Sequence, residues 1–238
     1  MIRLSARMEA VAALCEKGSC GADVGCDHGY VSIYLVQRGV FESMLAMDLR
    51  EGPLSAARQH VDEEGLGGKI ECRLSDGLSQ YCEGEADALI CAGMGGELMR
   101  RILSDGAGKL DGIRQLVLQP QSEVRQLREY LRDNGYKITA EDMIFEDGKY
   151  YPMFRAVPGE WEAEAEDEEL FLEYGRQTLK GRHPVLKSYL EHRIVTENAV
   201  REQLEEAAGS GSEKATERLK LQRREIGLLN RALSYYNE

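Results

Sequence analysis

Ala22-Asp23-Val24-Gly25-Cys26-Asp27-His28-Gly29-Tyr30 decides the reading of this 238-residue chain. A short apolar stretch runs into small residues and then opens a helix. A small-residue turn at a strand end lets a ligand approach the backbone, and the N–H groups of the next helix's first turn face it. A second acid, Asp48, follows 19 residues beyond Gly29. An acid at the end of the next strand can take two ribose hydroxyls as donors. The pairing is how a doubly wound sheet holds a nucleoside.

Two ligands compete for such a turn. Dinucleotide folds use G-x-G-x-x-G, whose middle glycine clears space for a pyrophosphate. Here the register is Asp23-x-Gly25-x-Asp27-x-Gly29, with Asp27 at the middle position and a further carboxylate, Asp23, at the strand end. Two carboxylates would repel a pyrophosphate. They suit a ligand with a cationic centre and an amino group, such as S-adenosylmethionine. A tight strand–helix turn without a ligand is the bland alternative.

Working outward, the chain is long enough for one ordinary domain and something smaller. The six cysteines form no C-x-x-C pair and no zinc-like spacing, so no metal is expected. They read as small buried apolar residues in a reducing cytoplasm. No apolar run approaches 18 residues, and the N-terminal stretch with Arg3 and Arg7 lacks the apolar block of a signal peptide, so no membrane partner is expected. The net charge of −12 argues against nucleic acid as a partner unless the contact is local and salt-sensitive.

Leu4, Met8, Val11 and Leu14 predict an opening helix. Strands are predicted over 20–24, 44–47, 70–74, 86–91 and 115–118, alternating with helices over 28–38, 53–64, 97–103 and 122–134. Segments 136–145 and 150–157 flank Asp147-Gly148, a hairpin signal. This is an α/β fold: a mostly parallel seven-stranded sheet with an antiparallel edge hairpin. Ligands bind such sheets at the carboxyl ends of the strands. Asp23/Gly25, Asp48, Asp76-Gly77, Gly93-Met94-Gly95-Gly96 and Gln119-Pro120-Gln121 all fall there. Residues 1–158 are expected to form the ligand-binding domain. Residues 159–238 read as an acidic linker (160–169) followed by a helical coiled-coil hairpin, with Leu219, Gln222, Ile226, Leu229, Leu233 and Tyr236 as one seam. Leu186, Leu190, Ile194, Val200 and Leu204 form a looser stripe opposite, and Gly209-Ser210-Gly211-Ser212 a flexible turn.

Each rim residue has a role in this reading. Asp48 would accept the ribose hydroxyls, Asp76 with Gly77 would lie against the adenine edge, and Asp23 would fix the amino-acid end. Leu49 and Met94 are grouped with them. The glycines of 93–96 would let a flat acceptor ring pass over the backbone. Arg125, Arg128 and Arg132 share one helical face. With Arg100, Arg101 and the cluster Lys220, Arg223 and Arg224, they are the candidates for a local basic surface.

Leu4-Ser5-x-Arg7, Asp23-x-Gly25-x-Asp27-His28-x-Tyr30, Ala92-Gly93-Met94-Gly95-Gly96 and Leu118-Gln119-Pro120 together resemble the bacterial tRNA adenine-N1 methyltransferases of the TrmK type. The resemblance covers the whole chain. It implies a Rossmann-like class I methyltransferase fold, S-adenosyl-L-methionine as donor, and adenine 22 of the tRNA D-arm as acceptor. It maps cofactor contacts to Asp23, Gly25, Asp48, Asp76 and Gly93. Arg7, Gly95, Gly96, Gln119, Pro120, Arg125 and Arg128 are then expected to meet the RNA. Adenine N1 carries a free lone pair at neutral pH, so positioning does much of the work and no base is required. Asp27 would stabilise the charge that develops on the ring, with His28 and Tyr30 as orienting or stacking partners. A monomeric cytoplasmic enzyme is expected. Two rivals stand beside it: a same-fold methyltransferase with another RNA or a small molecule as acceptor, and a non-catalytic cofactor-binding scaffold working through its hairpin.

Overall fold

The structure is a computed structural model and describes residues 2–162, 166–210 and 212–237. The chain divides into two compact units, Met1–Ala163 and Glu164–Glu238.

The first unit alternates helices and strands in this order: α1 (Ala6–Leu14), β1 (Gly18–Val24), α2 (Tyr30–Gln37), β2 (Phe41–Asp48), α3 (Glu51–Glu63), β3 (Ile70–Leu74), β4 (Ala88–Met94), α4 (Gly96–Asp105), β5 (Gln115–Pro120), α5 (Val124–Asp133), β6 (Tyr136–Glu146) and β7 (Lys149–Pro158). The strands form one seven-stranded sheet in the order β3-β2-β1-β4-β5-β7-β6. The first five are parallel; β7 runs antiparallel to β5, and β6 to β7. The strand order reverses between β1 and β4, and a sheet of this kind opens its binding crevice at that point.

Both faces of the sheet are covered, which explains why the strands read as almost unbroken apolar runs. Alternate residues serve opposite layers. Ala22, Val24, Leu45, Met47, Leu89 and Cys91 pack with Met99 and Leu103 of α4 and Leu127 and Leu131 of α5. Met44, Ala46, Ala88 and Ile90 pack with Val11 of α1, Ile33 and Leu35 of α2 and Leu54 and Ala57 of α3.

Several boundaries differ from those expected, for local reasons. Helix α2 starts at Tyr30 rather than His28 because Gly29 sits at φ +74° in the left-handed region. Strand β4 runs through Gly93 to Met94, beyond the expected stop at Cys91, with a register irregularity against β5 between Ala92 and Met94. A glycine inside a strand often marks such a bulge, and here it reads as a loop in sequence. Leu4 precedes α1, whose first turn is capped by Ser5: its hydroxyl oxygen accepts the Met8 N–H at 3.3 Å.

The second unit holds α6 (Glu168–Tyr174), α7 (Arg176–Lys180), α8 (Pro184–Gly209) and α9 (Glu213–Ser234). Helices α8 and α9 pair antiparallel, as the sequence predicts. Arg193 bonds Glu225, and Gln222 Nε2 donates to the Glu197 carboxylate at 2.7 Å. Leu219, Ile226 and Leu229 of the seam are buried together with Ala215 and Ala232. The expected linker over 160–169 is corrected at its end. Helix α6 begins at Glu168 and buries Leu170, Phe171, Leu172 and Tyr174. Glu164 of that run and Gly211 of the expected turn lie outside the described residues.

The cysteine expectation is corrected in part. All six are free thiols, yet only Cys26 and Cys91 are fully buried and Cys82 is exposed.

Candidate active site

The crevice at the carboxyl ends of β1, β2 and β4 contains a cavity of about 430 Å³. Its lining includes Arg7, Asp23, Gly25, Asp27, His28, Tyr30, Asp48, Gly93 and Met94, all expected from the sequence. Arg50 and Gln121 line it as well.

The turn after β1 is built to bring backbone and carboxylates together. The N–H groups of Gly25 and Cys26 both donate to the Met47 carbonyl, at 2.8 and 2.9 Å, which fastens the turn to the end of β2. Gly25, Asp27 and Gly29 have φ of +77°, +52° and +74°. A Cβ at Gly25 would come within 2.7 Å of the Met94 methyl, so the glycine is what lets Met94 close over the turn. Asp27 is in the left-handed region without being glycine, a conformation that aspartate tolerates better than most residues.

Asp48 ends β2 and is 6% exposed. Its Oδ2 accepts the Asp27 N–H at 3.1 Å and its Oδ1 accepts the Arg50 N–H at 2.8 Å. The two bonds fix the carboxylate plane and leave each oxygen a further acceptor site toward the cavity. Asp23 is 4% exposed, and the Ser32 hydroxyl donates to its Oδ2 at 2.8 Å. Burial pushes the Asp23 carboxyl up to about 6; the Ser32 bond pulls it down and the Asp48 charge adds to the rise. Cys26 also lines the cavity, and burial drives its thiol far above its ordinary value.

The mouth carries the exposed groups. His28 Nε2 lies 3.6 Å from Asp27 Oδ2, and an Arg50 guanidinium nitrogen 3.9 Å from Asp27 Oδ1. Tyr30 is 42% exposed. Its ring stacks on His60 of α3, with centroids 4.7 Å apart and planes inclined by 20°. Sequence reasoning did not single out His60 or Arg50. Arg50 was findable, two residues after Asp48. His60 was not, since its partner is 30 residues away on another helix.

On the far wall, Arg7 Nη1 donates to Gln119 Oε1 at 3.2 Å, and the same oxygen accepts the Gly93 N–H at 3.1 Å. The Arg7 guanidinium also lies 4.8 Å from the centre of the Tyr151 ring and 3.8 Å from Glu146. Its Nε is buried without a hydrogen-bond partner. A Cβ at Gly93 would stand 3.8 Å from Arg7 Nη1 and 3.9 Å from Gln121 Nε2, so two donors converge on one stretch of bare backbone.

Other expected residues are placed elsewhere. Leu49, Asp76 and Gly77 do not line this cavity. Asp76 and Gly77 line a second hollow of about 250 Å³ with Arg101 and Lys109, and Leu49 is 62% exposed beside Asp48. Four residues assigned to the RNA are corrected. Gly96, Gln119, Pro120 and Arg128 are buried. A Cβ on Gly96 would clash with the Ser122 carbonyl at 2.5 Å, so this glycine serves the packing of the β5–α5 loop. Gln119 supports Arg7 and Gly93 from behind. Arg128 and Glu141 have side chains 2% and 1% exposed and bond at 2.9 Å, so this arginine belongs to the core and not to a basic face. Gly95 precedes α4 as its N-cap.

The basic surface is also more neutral than the arginine spacing implies. Arg125 pairs with Glu129, Arg100 with Glu97, Arg223 with Glu205 and Arg224 with Glu169.

Residues 4–154 match the family described as methyltransferase domain. The tRNA (adenine(22)-N(1))-methyltransferase of Bacillus subtilis (strain 168) is 37% identical over 162 residues, which is 68% of either chain. The crystal structure of TrmK, the tRNA methyltransferase of B. subtilis, superposes with a TM-score of 0.86 at 30% identity, covering 98% of this chain and 100% of that one. A structure of Streptococcus pneumoniae Sp1610 in complex with S-adenosyl-L-methionine gives 0.82 at 33% identity, covering 97% and 100%.

Proposed function

From the premise that this chain belongs to the tRNA (adenine(22)-N(1))-methyltransferase family, we propose how its own groups carry out the reaction. The protein is an S-adenosylmethionine-dependent methyltransferase acting on N1 of adenine 22 in tRNA.

The observation that carries the reading is Asp48, buried at the end of β2 in the cavity lining with each oxygen held by one backbone N–H. The donor set fits S-adenosylmethionine and not a dinucleotide. Three carboxylates, from Asp23, Asp27 and Asp48, line the cavity where a pyrophosphate would otherwise lie. Asp48 takes the ribose hydroxyls. The adenine lies beyond Asp48 toward Leu49 and the Asp76-Gly77 turn, which is tied to the end of β2 by the Ser75 N–H donating to the Asp48 carbonyl at 2.9 Å. Asp23 faces the ammonium group. Arg7, with Gln121 beside it, takes the carboxylate of the amino-acid tail. The other cavity arginine, Arg50, lies beside the Asp48 and Asp27 carboxylates at the ribose end, whereas Arg7 stands beside the bare backbone of Gly93 with its Nε buried and without a hydrogen-bond partner.

The bound cofactor supplies an electrophilic methyl on a sulfonium: the N1 lone pair forms the new C–N bond, the S–CH3 electron pair returns to sulfur as a neutral thioether, and the positive charge passes to the adenine ring. The chain's residues prepare this transfer. Met94 and the Gly93 backbone shape the passage to the methyl. Tyr30 stacks on the extruded base, as an enzyme that acts on a pairing edge requires. Asp27 stabilises the cationic ring at the mouth of the cavity. No proton leaves N1 before attack, and none of these groups has to act as a base. Arg125 is kept as an RNA contact at the periphery. A monomer working in the cytoplasm is the simplest form of the enzyme; six free thiols suit that compartment.

The test is transfer of labelled methyl to a tRNA transcript, followed by reverse transcription. Methylation of N1 blocks the pairing edge, so extension should stop at nucleotide 22. A labelled product with no stop there would move the acceptor elsewhere, and the absence of label on any RNA would favour the scaffold reading.

A further inference from the structure

Helix α3 reaches the turn that carries His28, Gly29 and Tyr30 through two residues one helical turn apart. Ala57 seats it: a Cβ built on Gly29 would stand 3.1 Å from the Ala57 Cβ. His60 then engages both neighbours of that glycine. Its Nδ1 lies 3.0 Å from the His28 carbonyl oxygen. A carbonyl only accepts, so Nδ1 carries the hydrogen. In the neutral ring this leaves Nε2 as an acceptor, and the Tyr30 hydroxyl, 3.4 Å away, donates to it. The two rings stack at 4.7 Å, while the His28 ring stands 6.0 Å from each of them.

We propose that His60 is a positioning residue for the acceptor adenine. It covers one face of Tyr30 and holds its hydroxyl, so that the other face is presented as a fixed platform for the unstacked base. The inference rests on the placement of the base at Tyr30 under the proposed function. Two consequences follow from the geometry. The Tyr30 hydroxyl is spent on His60, so Tyr30 contributes a stacking surface and no proton. And because α3 begins at Glu51, directly after the Asp48–Arg50 segment, one helix joins the ribose acid to the platform, which ties the position of the base to that of the methyl donor.

The experiment follows full-length protein binding a tRNA with 2-aminopurine at nucleotide 22, whose fluorescence is quenched when the base stacks. Wild type should quench it and Tyr30→Ala should not. His60→Ala should lose most of the quench and about tenfold in kcat/KM for tRNA, in line with the loss of one base–aromatic stack. Its affinity for S-adenosylhomocysteine should be unchanged, which shows that the fold and cofactor site survive. His60→Phe keeps a flat ring against Tyr30 and should recover at least half of the quench. Tyr30→Phe keeps the ring and loses the contact between its hydroxyl and His60, so its quench should fall between those of wild type and Tyr30→Ala. His60→Ala with full quench and full kcat/KM overturns the proposal, as does Tyr30→Phe falling to the level of Tyr30→Ala. A wild type that methylates tRNA while Tyr30→Ala quenches normally removes the platform, and this inference with it, but leaves the methyl transfer standing.

Discussion

The buried carboxylate of Asp48 accepts the backbone N–H of Asp27 at 3.1 Å. One acid thereby fixes the other across the crevice. The residue proposed to hold the ribose also holds the left-handed turn on which the second carboxylate stands. Under the proposed function, cofactor seating and placement of the charge near the acceptor ring are therefore one structural event.

If Asp27 stabilises the developing ring charge, removing its charge should lower kcat and spare cofactor affinity. Asp27→Asn is the proper variant, because asparagine tolerates φ near +52° and preserves the turn. A fall of about 10- to 100-fold in single-turnover rate is expected, with the dissociation constant for S-adenosylhomocysteine within about threefold of wild type. An unchanged rate would relieve Asp27 of the role.

Asp23 should make cofactor binding depend on pH. Its folded-state value of about 6 lies above the ordinary 3.8. Between these values the unfolded chain has released the proton and the folded chain retains it. Stability of the unliganded protein therefore falls as pH rises through that window, and levels off above it. A ligand ammonium favours the ionised carboxylate. Affinity for S-adenosylhomocysteine should rise from pH 5 to pH 7, with a proton released on binding near pH 6. Calorimetry on Asp23→Asn should show neither effect; an identical pH profile in both proteins would refute the assignment.

Arg7 should distinguish ligands by their tails. Arg7→Ala is expected to weaken S-adenosylhomocysteine about tenfold, the cost of one charge-assisted contact. It should leave 5′-methylthioadenosine, which lacks the amino-acid end, unaffected. Equal loss for both ligands would assign Arg7 to the shape of the crevice instead.

Arg128 separates core from surface. Removing one member of its pair leaves Glu141 charged and buried, so Arg128→Ala should lose about 3–5 kcal/mol of stability in denaturant unfolding. Arg125→Ala, at a half-exposed pair, should change stability little and should instead flatten the salt dependence of tRNA binding. A stable Arg128→Ala protein with a reduced salt slope would return this residue to the RNA face.

How much of this was legible in the sequence depended on the range of the interaction. Asp23, Gly25 and Asp48 announce themselves because strand ends, small residues and lone acids are local signals, and a parallel sheet brings them to one rim. The bulge at Gly93 is local too, but its glycine reads as a loop until a neighbouring strand pairs across it. Arg128 was misplaced because helical spacing with Arg125 says nothing about which arginine faces Glu141 on β6. Helix α6 lay hidden because an acidic run precedes its four buried residues, and a helix of seven residues has too few turns to show a period. His60 was invisible since its value comes from Tyr30, a contact made only when α2 and α3 pack on the same face.

The most direct measurement is a calorimetric titration of the purified protein with S-adenosylhomocysteine, set beside Asp48→Ala and a nicotinamide dinucleotide control. Wild type should bind the demethylated cofactor with a clear heat, Asp48→Ala should show none at the same concentrations, and the dinucleotide should give none with either. Undiminished binding by Asp48→Ala, or uptake of the dinucleotide in place of the nucleoside, would contradict the account.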